Sequence, residues 1–270
     1  MREEFFPQRA LYYRVSEMQA DRQTLVLLHG LSGSSSAWFP FEGRFEPSFN
    51  IITVDLRGHG KSRRWRTYSE YDLELFAEDI ELLLSHLGIG TYCLVGHSFG
   101  TLVALELLLR GGSAERLVLL APNYGVHRTL LARLTRGPLS VLTAIFSRLP
   151  SIHWRGDRVD YSTLGYSSDW DMRRLWADVW NTGIRSYLHC LHHVYSFYRD
   201  HDWKRLSMPT LIVHGALDSF VPVAHGIELA SIMPQARFKM LPNANHMLVL
   251  NNVDDVSAVI KTFVESREAT

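Results

Sequence analysis

The sequence predicts an α/β protein built on a mostly parallel sheet. Two observations carry this: short, continuously apolar runs alternate with segments of helical period, and a polar cluster follows the end of one run after another. Runs apolar on both faces belong to sheets covered on both sides. Their alternation with helices implies parallel strands joined by right-handed crossovers. A third feature is a long interval, residues 123–204, with helical but little strand signal.

The elements follow in order. Ala10–Val15, Thr24–Leu28 and Asn50–Leu56 read as strands. Leu73, Phe76, Ile80, Leu83, Leu84 and Leu87 recur at helical spacing, predicting a helix over 69–87 with Ser69 as cap and Gly88 as stop. Strand Thr91–Val95, helix Thr101–Arg110 and strand Arg116–Leu120 come next. Beyond the interval lie strand Thr210–Val213, a helix near Ala224–Ile232, strand Arg237–Leu241 and a closing helix, Asp254–Val264. Within the interval, Leu130–Phe146 and Met172–His193 look helical. Five of the chain's seven tryptophans, Trp154, Trp170, Trp176, Trp180 and Trp203, fall there. An interval of about eighty residues is too long for a plain crossover. It is expected to be a helical lid inserted into a core made of 1–122 and 205–270.

Composition narrows the function. A chain of 270 residues, 46% hydrophobic, can bury one large core. Equal numbers of basic and acidic residues give zero formal charge, so no overall field draws nucleic acid or an anionic membrane. The first residues, MREEFFPQRALYYRV, lack the apolar centre of a secretory signal, and no run reaches the length of a membrane span. Cys93 and Cys190 stand far apart in apolar surroundings, which argues against a disulfide framework and for a cytoplasmic protein. A small-molecule partner, with the chain as monomer or homodimer, is expected.

The stretch LVGHSFGTLVALELLLR, residues 94–110, runs from strand through Gly-His-Ser-Phe-Gly into helix. A serine hydroxyl is a poor nucleophile unless an imidazole takes its proton and a carboxylate fixes the imidazole tautomer. Ligands of parallel sheets bind beyond the carboxyl ends of the strands. Ser98, Asp218 and His246 each follow a strand there, in the chain order of strand–turn–helix serine hydrolases. Asn123, which follows another strand, carries no charge and is set aside as the acid.

With LVLLHGLSGSSSAW (25–38), ITVDLRGHGKS (52–62), LVGHSFG (94–100), PTLIVHGALDSFVP (209–222) and LPNANHMLVLNN (241–252) in this order, the chain resembles the α/β-hydrolase fold family, serine-nucleophile branch. The resemblance implies about eight strands, a variable helical cap, Ser98 as nucleophile, Asp218 as acid and His246 as base. It also implies an oxyanion hole formed by the backbone N–H groups of Leu31 and Phe99. His29, Gly30, Tyr124, Val221 and Met247 are expected at the substrate pocket.

The reaction so implied is hydrolysis of a carboxylic ester or lactone, the substrate small to medium and mainly apolar, through an acyl-enzyme without metal or cofactor. Carbon–carbon bond hydrolysis of ring-cleavage products, cofactor-free haloperoxidase or perhydrolase chemistry and acyl transfer stay open. A ligand-binding protein without turnover is the reading of a different class. His189, His192 and His193 have spacing that could hold a metal, but no carboxylate or cysteine completes a set, and a partly buried helix explains them. A lipid substrate would favour an exposed apolar lid face, which periodicity alone does not locate.

Overall fold

The computed structural model describes residues 1–149, 158–198 and 203–266. Eight strands form one sheet: β1 (Arg2–Phe6), β2 (Leu11–Val15), β3 (Thr24–Leu28), β4 (Asn50–Val54), β5 (Tyr92–His97), β6 (Ala114–Leu120), β7 (Thr210–Gly215) and β8 (Ala236–Leu241). Their order is β1-β2-β4-β3-β5-β6-β7-β8, with β2 antiparallel to both β1 and β4 and the remaining neighbours parallel. Nine α-helices stand among the described residues: α1 (Phe39–Phe45), α2 (Leu73–His86), α3 (Phe99–Leu109), α4 (Leu130–Arg148), α5 (Met172–Thr182), α6 (Ile184–Ser196), α7 (Val223–Ile232), α8 (Leu248–Asn251) and α9 (Val253–Glu265).

Strand alternation explains the apolar runs. In β3, Leu25 and Leu27 join a core with Phe41 and Phe45 of α1 and Ile260 and Phe263 of α9. Val26 and Leu28 point to the other face, against Phe76 and Ile80 of α2 and Leu102 and Val103 of α3. Successive side chains face opposite ways, so a strand covered on both sides has to be apolar throughout.

The strand order also fixes where a site can form. From β3 the chain steps one way to β4, then returns to β5 on the other side of β3 and continues outward to β8. The loops leaving β3 and β5 therefore diverge from adjacent parallel strands, the switch point at which open α/β sheets bind ligands.

Several elements depart from expectation. β1 is an exposed antiparallel edge strand, and its Arg-Glu-Glu opening carries no apolar alternation. The helix expected over 69–87 begins at Leu73: Thr67 and Glu70 close a capping box around a 3-10 turn at 68–71, so Ser69 is not its cap. Gly88, at φ 69°, does end it. The helical stretch 172–193 is two helices, broken at Gly183 with φ 87°. Between β6 and β7 the described residues hold α4, α5 and α6 and no strand. Trp154 lies outside the described residues.

Candidate active site

The turn between β5 and α3 is closed by backbone pressed on backbone. A Cβ on Gly96 would lie 2.6 Å from the Gly100 carbonyl oxygen, and one on Gly100 would lie 2.6 Å from that of Leu28. Only hydrogen fits at either place. Ser98 itself takes φ 50°, ψ −114°, a conformation few side chains tolerate. Its N–H donates to the Leu120 carbonyl (2.9 Å), and its own carbonyl accepts from Thr101 Oγ1 (2.5 Å). The neighbouring strand and the helix thus hold the strained residue.

Three side chains from distant strand ends meet at this turn. Ser98 Oγ lies 2.8 Å from His246 Nε2, and His246 Nδ1 lies 2.8 Å from Asp218 Oδ2. A carboxylate only accepts, so Nδ1 carries the proton and Nε2 is left to accept from the serine hydroxyl. The Asp218 carboxylate also receives the N–H groups of Phe220 (2.9 Å) and Val221 (2.8 Å) at Oδ1, and His214 Nε2 stands 3.1 Å from Oδ2. Burial works against its charge, but His246, His214 and the Val221 amide outweigh burial and hold Asp218 well below the usual carboxylate range.

The backbone of His246 is gripped from two sides. His97 Nε2 donates to its carbonyl (2.9 Å), and its N–H donates to Asp169 Oδ1 (2.9 Å). Burial pushes His97 down to about 3, so the ring stays neutral while it holds that loop. Asp169 Oδ2 accepts from both the N–H and the hydroxyl of Ser219, each at 2.8 Å. One buried carboxylate, from the segment between β6 and β7, therefore ties the loop of the imidazole to the loop of its acid. Asn123 Nδ2 donates to Ser98 Oγ (3.2 Å), so the residue set aside as a rival acid instead touches the serine.

The remaining predicted residues separate into two groups. Gly30 abuts the serine turn: a Cβ there would meet His97 Nδ1 at 2.9 Å and Ser98 Cβ at 3.2 Å. Gly30, Leu31 and Met247 line a cavity of about 30 Å³ beside His97, with Tyr161 and Asp178 on another wall. Among the described residues, neither the Leu31 nor the Phe99 N–H is committed to a protein acceptor. His29, fully buried, faces the protein: Nδ1 donates to the Gly30 carbonyl (2.8 Å) and Nε2 accepts from the Leu56 N–H (3.0 Å). Val221 reaches the site through its backbone, and Tyr124 packs on Trp203 while its hydroxyl donates to Glu228 (3.2 Å).

Asp169, His214 and Asn123 are the site residues that sequence reasoning missed. His214 carries a faint signal, four residues before Asp218 in the same strand–loop stretch. Asp169 carries none, a single aspartate in an irregular segment. The three histidines of α6 lie around Tyr68, with His193 stacked on its ring at 4.5 Å. No metal-holding cluster occurs among the described residues.

A sheet of this order, with a hydroxyl, an imidazole and a carboxylate at the carboxyl ends of its strands, is the architecture of a hydrolase. Residues 23–253 match the model of the alpha/beta hydrolase fold family, and the chain belongs to that family. It is 25% identical over 256 residues to a non-heme haloperoxidase of Rhodococcus erythropolis, spanning 90% of this chain and 92% of the relative. It is 25% identical over 283 residues to the sn-1-specific diacylglycerol lipase ABHD11 of Mus musculus, spanning 94% and 85%. The crystal structure of the enol-lactonase from Burkholderia xenovorans LB400 superposes with a TM-score of 0.73 at 20% identity, covering 95% of this chain and 96% of that one.

Proposed function

We propose that this protein is a serine hydrolase that cleaves a carboxylic ester or lactone through an acyl-enzyme. The observation that carries the reading is the unbroken hydrogen-bonded chain from Ser98 Oγ through His246 to Asp218, both links at 2.8 Å. His246 takes the hydroxyl proton as Ser98 Oγ adds to the carbonyl carbon. Asp218 holds the imidazole in the accepting tautomer and stabilises the imidazolium. The carbonyl oxygen, as it gains charge, is received by the N–H groups of Leu31 and Phe99, with the positive end of α3 behind the latter. His246 then returns its proton to the leaving oxygen, and a water activated in the same way releases the acid.

Residues 123–204 serve in this reading as a cap over a core formed by 1–122 and 205–270, and the substrate is small to medium and mainly apolar. Cys93 and Cys190 are both unpaired and buried, as suits a cytoplasmic setting. A fluorophosphonate probe is expected to label Ser98 in the native protein. A panel of nitrophenyl esters of rising acyl length is expected to be cleaved by the wild type and not by Ser98→Ala; equal rates in the two proteins would sink the reading. The haloperoxidase relative supports a second possibility, perhydrolysis at the same serine. Halogenation with peroxide and acetate tests it, and robust ester cleavage without halogenation disposes of it.

A further inference from the structure

We propose that α4 is a docking helix that seats this protein on an anionic lipid surface. The proposal rests on the ester-hydrolase reading for its purpose, delivery of lipid esters to Ser98, but not for its test.

The starting observation is a helix apolar on the wrong side. Ala132, Leu139 and Thr143 of α4 are buried. Leu130, Leu134, Val141, Leu142, Ile145 and Leu149 recur at helical spacing away from that face, and each is between 41 and 70% exposed. At 1.5 Å per residue the stripe runs about 28 Å along the molecule. Nor is this background: of the nineteen large hydrophobic residues exposed among the described residues, thirteen lie between residues 123 and 204. Water-exposed apolar surface concentrated in one place marks a contact site.

Charge selects the occupant. Arg133, Arg136 and Arg148 are exposed on α4, and no aspartate or glutamate stands anywhere between Gly125 and Leu149. A second copy of this chain, packed α4 to α4 about a two-fold axis, would bring the arginines of both helices together, and α4 supplies no carboxylate to pair them. An anionic bilayer meets both requirements, accepting the apolar stripe between its headgroups and pairing the guanidinium groups with phosphate. The connection to the chemistry is short. α4 follows Asn123, whose amide touches Ser98 Oγ.

The protein should be sedimented with vesicles of phosphatidylcholine alone and with vesicles half of phosphatidylglycerol. Wild type and Ser98→Ala are expected to bind the anionic vesicles alike. Binding should fall at least tenfold in Leu134→Ser/Ile145→Ser, in Arg133→Gln/Arg136→Gln and for the wild type in high salt. Ile227→Ser, an exposed apolar position on α7, should bind as wild type does. Because the α4 positions are exposed, these variants should keep the wild-type melting temperature and rate on a soluble short-chain ester. Failure of the wild type to bind anionic vesicles, binding indifferent to the α4 changes, or a dimer in light scattering that those changes dissolve would each overturn the proposal. Vesicle binding without any ester cleavage would leave the docking standing and remove the hydrolase reading.

Discussion

Asp169 handles no proton in this scheme, yet its carboxylate joins the two loops whose spacing sets the His246–Asp218 bond. Removing it would leave the buried His246 N–H without its acceptor, at a cost of about 1–3 kcal/mol, and would release the exposed Ser219 to water. The kinetic effect should be larger than the loss of stability suggests, because a displacement of an ångström at a reacting group can cost about 100-fold in rate. Asp169→Ala is expected to lower kcat roughly 10- to 100-fold on a soluble nitrophenyl ester with KM little changed, and to slow fluorophosphonate labelling in parallel. An unchanged kcat with a lower melting temperature would make Asp169 a structural tie and nothing more. The contrast with Ser98 is instructive about legibility. Ser98, Asp218 and His246 can be read from the sequence because each follows a segment that reads as a strand, continuously apolar before Ser98 and Asp218 and mixed with Arg237 and Lys239 before His246. Asp169 follows nothing of the kind; its importance exists only once the loops after β7 and β8, some fifty and eighty residues further along the chain, lie against it.

At the scale of elements, burial decides what the sequence reveals. β3, β5 and β6 are covered on both faces and write themselves as apolar runs, whereas β1 is mostly exposed and leaves no such mark. The break between α5 and α6 hides for a different reason. A lone glycine is tolerated inside a helical pattern, and only the observed φ of 87° shows that Gly183 turns the chain. Gly100 gives the same lesson with a testable sign. Inside an exposed helix, Gly→Ala stabilises by about 1 kcal/mol. Here the new methyl would sit 2.6 Å from the Leu28 carbonyl oxygen and 2.7 Å from that of His29, backbone atoms that cannot move without carrying the Gly30–Leu31 loop with them. Overpacking of this kind costs about 1–3 kcal/mol, so it outweighs the gain in propensity. Gly100→Ala is expected to lower the denaturant midpoint and to reduce ester cleavage more than tenfold, through displacement of the Leu31 amide. A variant as stable and active as wild type would show that the β3 end is free to move.

Six histidines are buried among the described residues, and the acid stability of the whole molecule should show it. Burial is the leading cause that lowers His29 to about 4 and His59 and His97 to about 3, from an ordinary value of 6.5. Below pH 6.5 the unfolded chain takes up these protons while the folded protein refuses them until the pH reaches the lowered values. Stability therefore falls as pH falls, by on the order of 1 kcal/mol per group per pH unit. Asp178 acts the other way: burial pushes it up to about 7, so the folded form keeps a proton that the unfolded chain releases near 3.8, and this offsets one histidine across the interval. His189, lowered to about 4, and His193, lowered to about 3, restore the balance toward acid sensitivity from within the segment between β6 and β7. Asp218, held below the ordinary carboxylate range, adds to the loss only at lower pH, where the unfolded chain begins to protonate its carboxylates. The net expectation is a melting temperature that declines steeply from pH 6.5 to 4.5, ahead of general carboxylate protonation. His59 offers the cleanest check, since its ring lies between His29 and Phe99 with Nε2 lacking a hydrogen-bond partner among the described residues. Replacing it with phenylalanine removes one proton acceptor from the unfolded chain without exposing the core. In His59→Phe the slope of unfolding free energy against pH between 6 and 5 should become shallower than in wild type. An identical slope in the two proteins would mean that His59 takes up its proton in the folded state as readily as in the unfolded one.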